Sequence, residues 1–141
     1  MTYYFDMDGT IADFYGVENW LEHLVNENVK PYIVARPMID LEAFSALVIA
    51  HRARGDRFCV VSWTAKNGSQ TYTKAIRQAK REWIKKYFPN CFDEIHIIKY
   101  GTSKRKYKKD FGILFDDDEN VRKDWGETSY NPSEILRVLA I

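Results

Sequence analysis

Apolar positions along this chain fall into short blocks whose spacing alternates between strand-like and helix-like. Thr2 to Phe5 is a run of β-favouring residues that stops at acids, the pattern of a buried strand reaching a polar rim. From Val17 the apolar residues are Val17, Trp20, Leu21, Leu24 and Val25, which predicts a helix with one apolar face. Pro31 and Pro37 bracket an irregular stretch. Asp40 is placed to cap a second helix, with Leu41, Phe44, Leu47 and Val48 inward and Gly55 just past its end. Phe58-Cys59-Val60-Val61 predicts a fully buried strand, and Ser62-Trp63-Thr64 follows it. A long helix comes next, with Tyr72, Ile76, Ala79, Trp83 and Tyr87 on one face and Pro89 as its stop. Ile95-His96-Ile97-Ile98 predicts a third strand. Ile113-Leu114-Phe115 predicts a fourth, and it runs straight into Asp116-Asp117-Asp118. Asn131-Pro132-Ser133-Glu134 opens a last helix, with an Asn cap, Pro in the first turn and Glu at the capping-box position.

Strands alternating with helices predict an α/β fold: a three-layer, doubly wound parallel sheet with helices on both faces. In such sheets functional groups gather just beyond the carboxyl ends of the strands. Three of the predicted strands end in candidate chemistry: Asp6 and Asp8, Ser62 and Thr64, and Asp116 to Asp118. Composition adds little. The 141 residues, 45% of them hydrophobic, suit one domain spanning the chain and a single core. No stretch approaches the roughly 20 apolar residues of a membrane span. The early acid at Asp6 is unlike a secretory leader, so a cytoplasmic location is the expectation. Cys59 and Cys91 lack metal-ligand spacing and read as buried thiols. A net charge of +1 gives no general attraction to nucleic acid or membrane.

Several carboxylates at one sheet edge repel one another unless a cation sits among them. All are hard oxygen ligands, which favours magnesium over zinc. Asp6 and Asp8 are alternate residues and leave their strand on the same side. Gly9 permits tight backbone approach, and the N–H groups of Gly9 and Thr10 in such a turn suit an anionic oxygen. A metal, two carboxylates and amide donors at one point describe a site for phosphoryl transfer. A calcium loop is the competing reading of Asp-x-Asp-Gly, but Gly9 comes one position too early for an EF-hand and Glu18 does not fit the end. Asp116 to Asp118 also admits a plain reading, a solvated turn and helix cap.

Phe5-Asp6-Met7-Asp8-Gly9-Thr10-Ile11-Ala12-Asp13 resembles the first motif of the haloacid dehalogenase superfamily in its phosphatase form. Val60-Val61-Ser62 resembles the second motif, and Ile113-Leu114-Phe115-Asp116-Asp117 the fourth. The resemblance implies that Asp6 attacks phosphorus and ligates magnesium. It implies that Asp8 serves as general acid and then base, with its backbone carbonyl on the metal. Ser62, with its neighbour Trp63, would hold phosphoryl oxygens, and Asp116 and Asp117 would complete the magnesium site. The family's third motif is a lysine; Lys104 is the choice and Lys99 its competitor. Lys104 belongs to a run with Lys99, Arg105, Lys106, Lys108 and Lys109 and no acid before Asp110, which reads as a solvated basic face or as an attractor of polyanions.

Residues 14 to about 41 are the expected cap, small and helical, an arrangement similar to compact 5′(3′)-deoxyribonucleotidase-like members of that superfamily. Phe14 and Tyr15 are expected at the entrance, and Trp20, Tyr32, Arg36 and Trp63 are candidates to contact a base. The expected substrate is a nucleoside monophosphate or similar small phosphate ester. A nucleic-acid end is the alternative, and a non-catalytic binding domain is a third. Sequence leaves the oligomeric state open.

Overall fold

β1 (Thr2–Phe5) lies at the centre of the molecule because both of its faces are apolar. The computed structural model describes residues 1–141. After β1 the chain forms a 3₁₀ turn at Phe14–Gly16, then α1 (Trp20–Val25), α2 (Lys30–Val34), α3 (Leu41–Ala53), β2 (Arg57–Trp63), α4 (Gln70–Tyr87) and β3 (Glu94–Ile98). A second 3₁₀ turn, Lys104–Tyr107, precedes β4 (Ile113–Phe115), α5 (Glu119–Trp125) and β5 (Ser129–Tyr130). A third, Pro132–Glu134, leads into α6 (Ile135–Leu139).

The five strands form one sheet in the order β3-β2-β1-β4-β5. Every pairing is parallel, as an alternation of strand and helix requires. Successive strand residues point to opposite faces, and two separate cores result. Tyr3, Phe5, Phe58 and Val60 pack against Phe44 and Val48 of α3, Trp83 and Ile84 of α4, and Ile135 and Leu139 of α6. Tyr4, Cys59, Val61 and Leu114 pack on the other face against Val121 and Trp125 of α5. The first core is aromatic: Phe5 lies 5.4 Å from Phe44, 5.9 Å from Phe58 and 5.0 Å from Phe115. Fully burying one such ring contributes about 1.5–3 kcal/mol, so this stack anchors β1 from beneath. No helix is long and apolar enough to cross a membrane.

Chain order reverses between β1 and β4. From β1 the sheet grows one way through β2 to β3, then returns to add β4 and β5 on the other side. Crossovers leave opposite faces at that junction, so a crevice opens beyond the carboxyl ends of β1 and β4. Phe5 is paired with Phe115, which sets Asp6 and Asp116 side by side at its mouth.

Several predicted elements are adjusted. Asp40 does cap α3, accepting from the Ala43 N–H, and Gly55 follows that helix in a left-handed conformation with φ +89°. The helix expected from Val17 begins only at Trp20, because Asn19 adopts a left-handed conformation. It ends after Val25, and its supposed inner residues Leu21 and Val25 are exposed. Pro31 sits in the first turn of α2, where its missing N–H costs nothing. Asn131 caps as predicted, but a 3₁₀ turn, and Glu134 pairs with Arg137 and makes no capping-box bond. β5 has no counterpart among the predicted strands, since two residues carry no readable alternation.

Candidate active site

Asp6 and Asp116 are the first residues past two adjacent buried strands, so each carboxylate is fixed by the sheet itself. Asp116 is essentially inaccessible and Asp6 nearly so. The Lys104 ammonium donates to Asp6 Oδ1 at 2.9 Å and to Asp116 Oδ2 at 2.7 Å. Thr10 Oγ1 donates to the other Asp6 oxygen at 3.3 Å. Asp116 Oδ1 accepts from the Asp118 N–H at 2.9 Å, and Asp118 in turn caps α5 through the Asn120 and Val121 amides. The plain reading of the acidic triplet therefore holds for Asp118 alone.

Asp117 completes the group. Ligand atoms of Asp6, Asp116 and Asp117 all lie within 4.8 Å of one another. The approach of Asp117 depends on Gly9, which has φ +81°; a Cβ there would stand 2.2 Å from Asp117 Oδ2. Three carboxylates face one ammonium in this crevice, and the imbalance shows in the proton affinities of Asp116 and Asp117. Burial and the neighbouring Asp6 charge push Asp116 up to about 7. The same two causes, with a hydrogen bond to Asp6, push Asp117 up to about 8. Burial alone would lower Lys104, but Asp6 and Asp116 outweigh it and raise the ammonium. A compact set of three carboxylates, two of them with proton affinities raised by burial and like charge, could hold a hard divalent cation.

Across the crevice stands a residue that sequence reasoning did not single out. Lys80, on the buried side of α4, is 1% exposed. Its ammonium donates to Asp8 Oδ2 at 3.0 Å, to Ser62 Oγ at 2.7 Å and to the Trp63 carbonyl at 2.8 Å. It also lies 5.3 Å from the centre of the Tyr32 ring. Burial raises the Asp8 carboxyl, while Lys80 pulls it back. The sequence does carry a signal for this residue. Ile76, Lys80 and Ile84 are spaced by four on α4, which puts a charge in the middle of a buried stripe.

Of the other expected residues, Ser62 is buried beside Asp8 and Lys80. Gly9 and Thr10 do not offer the expected amide donors. Their N–H groups are spent on the Ala12 and Met7 carbonyls in the tight turn, so Gly9 serves close approach and Thr10 orients Asp6. The Trp63 indole donates to the Thr102 carbonyl at 2.8 Å, and its ring lies 5.3 Å from the Lys104 ammonium. Lys99 is exposed, so Lys104 is the lysine at the carboxylates. The expected basic face is dispersed: Lys104 turns inward, Lys108 reaches the Trp125 carbonyl and Lys109 pairs with Glu94.

A cavity of about 380 Å³ opens above these groups. Asp6, Asp8 and Asp117 line its floor, and Tyr15, Trp20 and Tyr32 are among its walls. Tyr15 is half exposed at the entrance, as expected. Phe14 is buried and props Tyr15 and Tyr32, with ring centres 5.3 Å and 4.8 Å away. Arg36 is not at the site. It lies in a separate hollow with Asp13 and Glu18, because the extended chain after α2 turns it outward.

A scan against protein-family models finds no match for this chain, and a search of the curated proteins likewise finds none.

Proposed function

We propose that this chain is a magnesium-dependent phosphatase of the haloacid dehalogenase type, working through an aspartyl-phosphate intermediate. More particularly, it hydrolyses a nucleotide-like phosphate monoester. The observation that carries this reading is the convergence of Asp6, Asp116 and Asp117 on one point, with Asp8 and Ser62 beside it. A binding module has no need of a buried nucleophile, a second carboxylate and two buried ammonium groups together.

In this reading Asp6, Asp116, Asp117 and the Asp8 carbonyl would hold magnesium. Bound there, the ion neutralises charge on the phosphoryl oxygens. Asp6 supplies a carboxylate oxygen that forms a bond to phosphorus as the ester oxygen leaves, and Asp8 gives that oxygen its proton. Asp8, now a carboxylate, takes a proton from water; the water oxygen attacks phosphorus and frees Asp6 and inorganic phosphate. Splitting one displacement into two lowers each barrier. Lys104 holds Asp6 in position and offsets the charge of Asp116. Lys80 fixes Asp8 and Ser62, so the acid and a phosphate-contacting hydroxyl keep one geometry. The aromatic walls offer flat faces to a base.

The test is magnesium-dependent release of phosphate from an aryl phosphate, with Asp6→Asn as control. Turnover in the wild type that EDTA abolishes and Asp6→Asn lacks is the expected result. A wild type with neither turnover nor magnesium binding would leave a non-catalytic domain.

A further inference from the structure

A second hollow adjoins the catalytic cavity. It is an open groove of about 840 Å³ between the loop after β2, the first half of α4 and the end of β3. Lys66, Lys74, Arg77 and Lys99 line it, and no Asp or Glu does. All four cations are exposed, and none forms an ion pair within the chain. Glu27, near this end of α4, accepts from the Ser69 N–H and hydroxyl and lines a different hollow. Thr64, Ala65, Lys66 and Tyr100 border both the groove and the catalytic cavity, so the two are continuous.

The cations have an order. Arg77 Nε donates to the Ile97 carbonyl at 3.0 Å and Arg81 to the Ile95 carbonyl at 3.1 Å. Those carbonyls belong to β3, the edge strand of the sheet. The two arginines thereby cover the edge and are themselves held in place, with charge to spare. Lys74, Arg77 and Arg81 follow one another at three and four residues on α4, which puts them along one side of the helix. At the junction Tyr100 is exposed, and its ring lies 4.9 Å from that of Trp63. A line of unpaired cations that starts at the proposed phosphate site, with an aromatic platform at its head, has the make-up of a single-strand path.

We infer that the groove receives a single-stranded nucleic acid whose terminal phosphate enters the catalytic cavity. Cations along α4 contact the following backbone phosphates, and Tyr100 stacks on a base. This rests on the phosphatase reading and names its substrate class: a strand end in preference to a free mononucleotide.

The test compares a thymidylate strand of about six nucleotides, carrying a 5′- or a 3′-phosphate, with thymidine monophosphate and an aryl phosphate. At low salt one of the strands should exceed the mononucleotide in kcat/KM by tenfold or more. Four phosphate contacts give a log–log salt slope of about −2.8, so that kcat/KM should fall about fifty-fold between about 50 and about 200 mM salt. Lys74→Glu with Lys99→Glu should remove the strand's advantage and leave aryl phosphate turnover unchanged. Neither lysine borders the catalytic cavity. A strand and a mononucleotide of equal kcat/KM and equal salt slope would overturn the inference. So would a phosphopeptide turned over better than either strand. If the wild type fails on the aryl phosphate, the phosphatase reading falls by itself. Salt-dependent binding of the labelled strand, followed by fluorescence anisotropy with and without the two substitutions, still decides the groove.

Discussion

Lys80→Met is the perturbation that asks most of this structure. Methionine approximates the length and volume of lysine and suits the flanking Ile76 and Ile84, so the helix itself is not disturbed. Three hydrogen bonds disappear, to Asp8, Ser62 and the Trp63 carbonyl. Removing one member of a buried ion pair costs about 3–5 kcal/mol. The Asp8 side chain is 21% exposed, so water softens the loss and the lower end, about 3 kcal/mol, applies. For a chain of this size that corresponds to a fall in Tm of roughly 10 °C. The functional effect is more specific. Without its partner Asp8 loses both its orientation and the charge that pulls its raised proton affinity down. A general acid contributes about 10²–10⁴ in rate, and it matters only where the leaving oxygen needs a proton.

The assay is kcat/KM, well below the variant's Tm, for aryl phosphates whose phenols span strong to weak acids. Loss should reach about 10² for the poorest leaving groups and shrink towards nothing for the best. Asp8→Asn should show the same graded loss. The double substitution should add little to it, since the two residues act as a unit. An equal loss across the whole series would mean that Lys80 only supports the fold, and wild-type rates would mean that Asp8 is not the acid.

Three further outcomes follow from the site. Gly9→Ala should lower magnesium affinity at least tenfold while β1 stays folded, because the new Cβ meets Asp117 Oδ2 and the position has a positive φ; calorimetric magnesium titration reads this, and unchanged affinity would remove Asp117 from the metal site. Asp116 and Asp117 have folded values raised above the ordinary carboxylate value, so their contribution to metal-free stability is present below about pH 4 and is lost as pH rises through about 7 and about 8. On the proposed reading magnesium would compete with those protons; the gap in Tm between excess magnesium and EDTA should widen from about pH 6 to about pH 8, and a constant gap would refute the linkage. Phe44→Ala should cost about 3–5 kcal/mol in chemical denaturation, as the ring is fully buried against Phe5, Phe58 and Phe88, while magnesium affinity in the folded protein stays unchanged.

How far the sequence could be read depends on the range of the forces involved. β1, β2, β4, α3 and α4 were legible because each carries a local period or a stop that a single segment states by itself: apolar runs ending in acids, Asp40 before Leu41, Pro89 after Phe88. From those strands alone a parallel sheet follows, and with it the meeting of Asp6, Ser62 and Asp116 at one edge. The region 14–41 was not legible in the same way. Its two short helices have no core of their own, and Tyr32 and Phe14 are fixed by Tyr72 and Ile76 of α4, about forty to sixty residues further on. The apolar spacing at Leu21 and Val25 therefore promised a buried face that no partner fills. Gly9 and Thr10 misled for a related reason: a turn tight enough to bring Asp117 close uses up its own amides. Lys80 marks the boundary most clearly. A lysine on a helix is usually solvated, and only the sheet's topology brings this one under the carboxyl ends of β1 and β2. There a buried ammonium is favourable, because Asp8 supplies the opposite charge and two oxygens satisfy its remaining protons. Asp6 and Asp8, two residues apart, thus answer to two different lysines: Lys104 holds the one beside Asp116, and Lys80 holds the other beside Ser62. On the proposed reading, that separation would let the two carboxylates take different roles in one reaction.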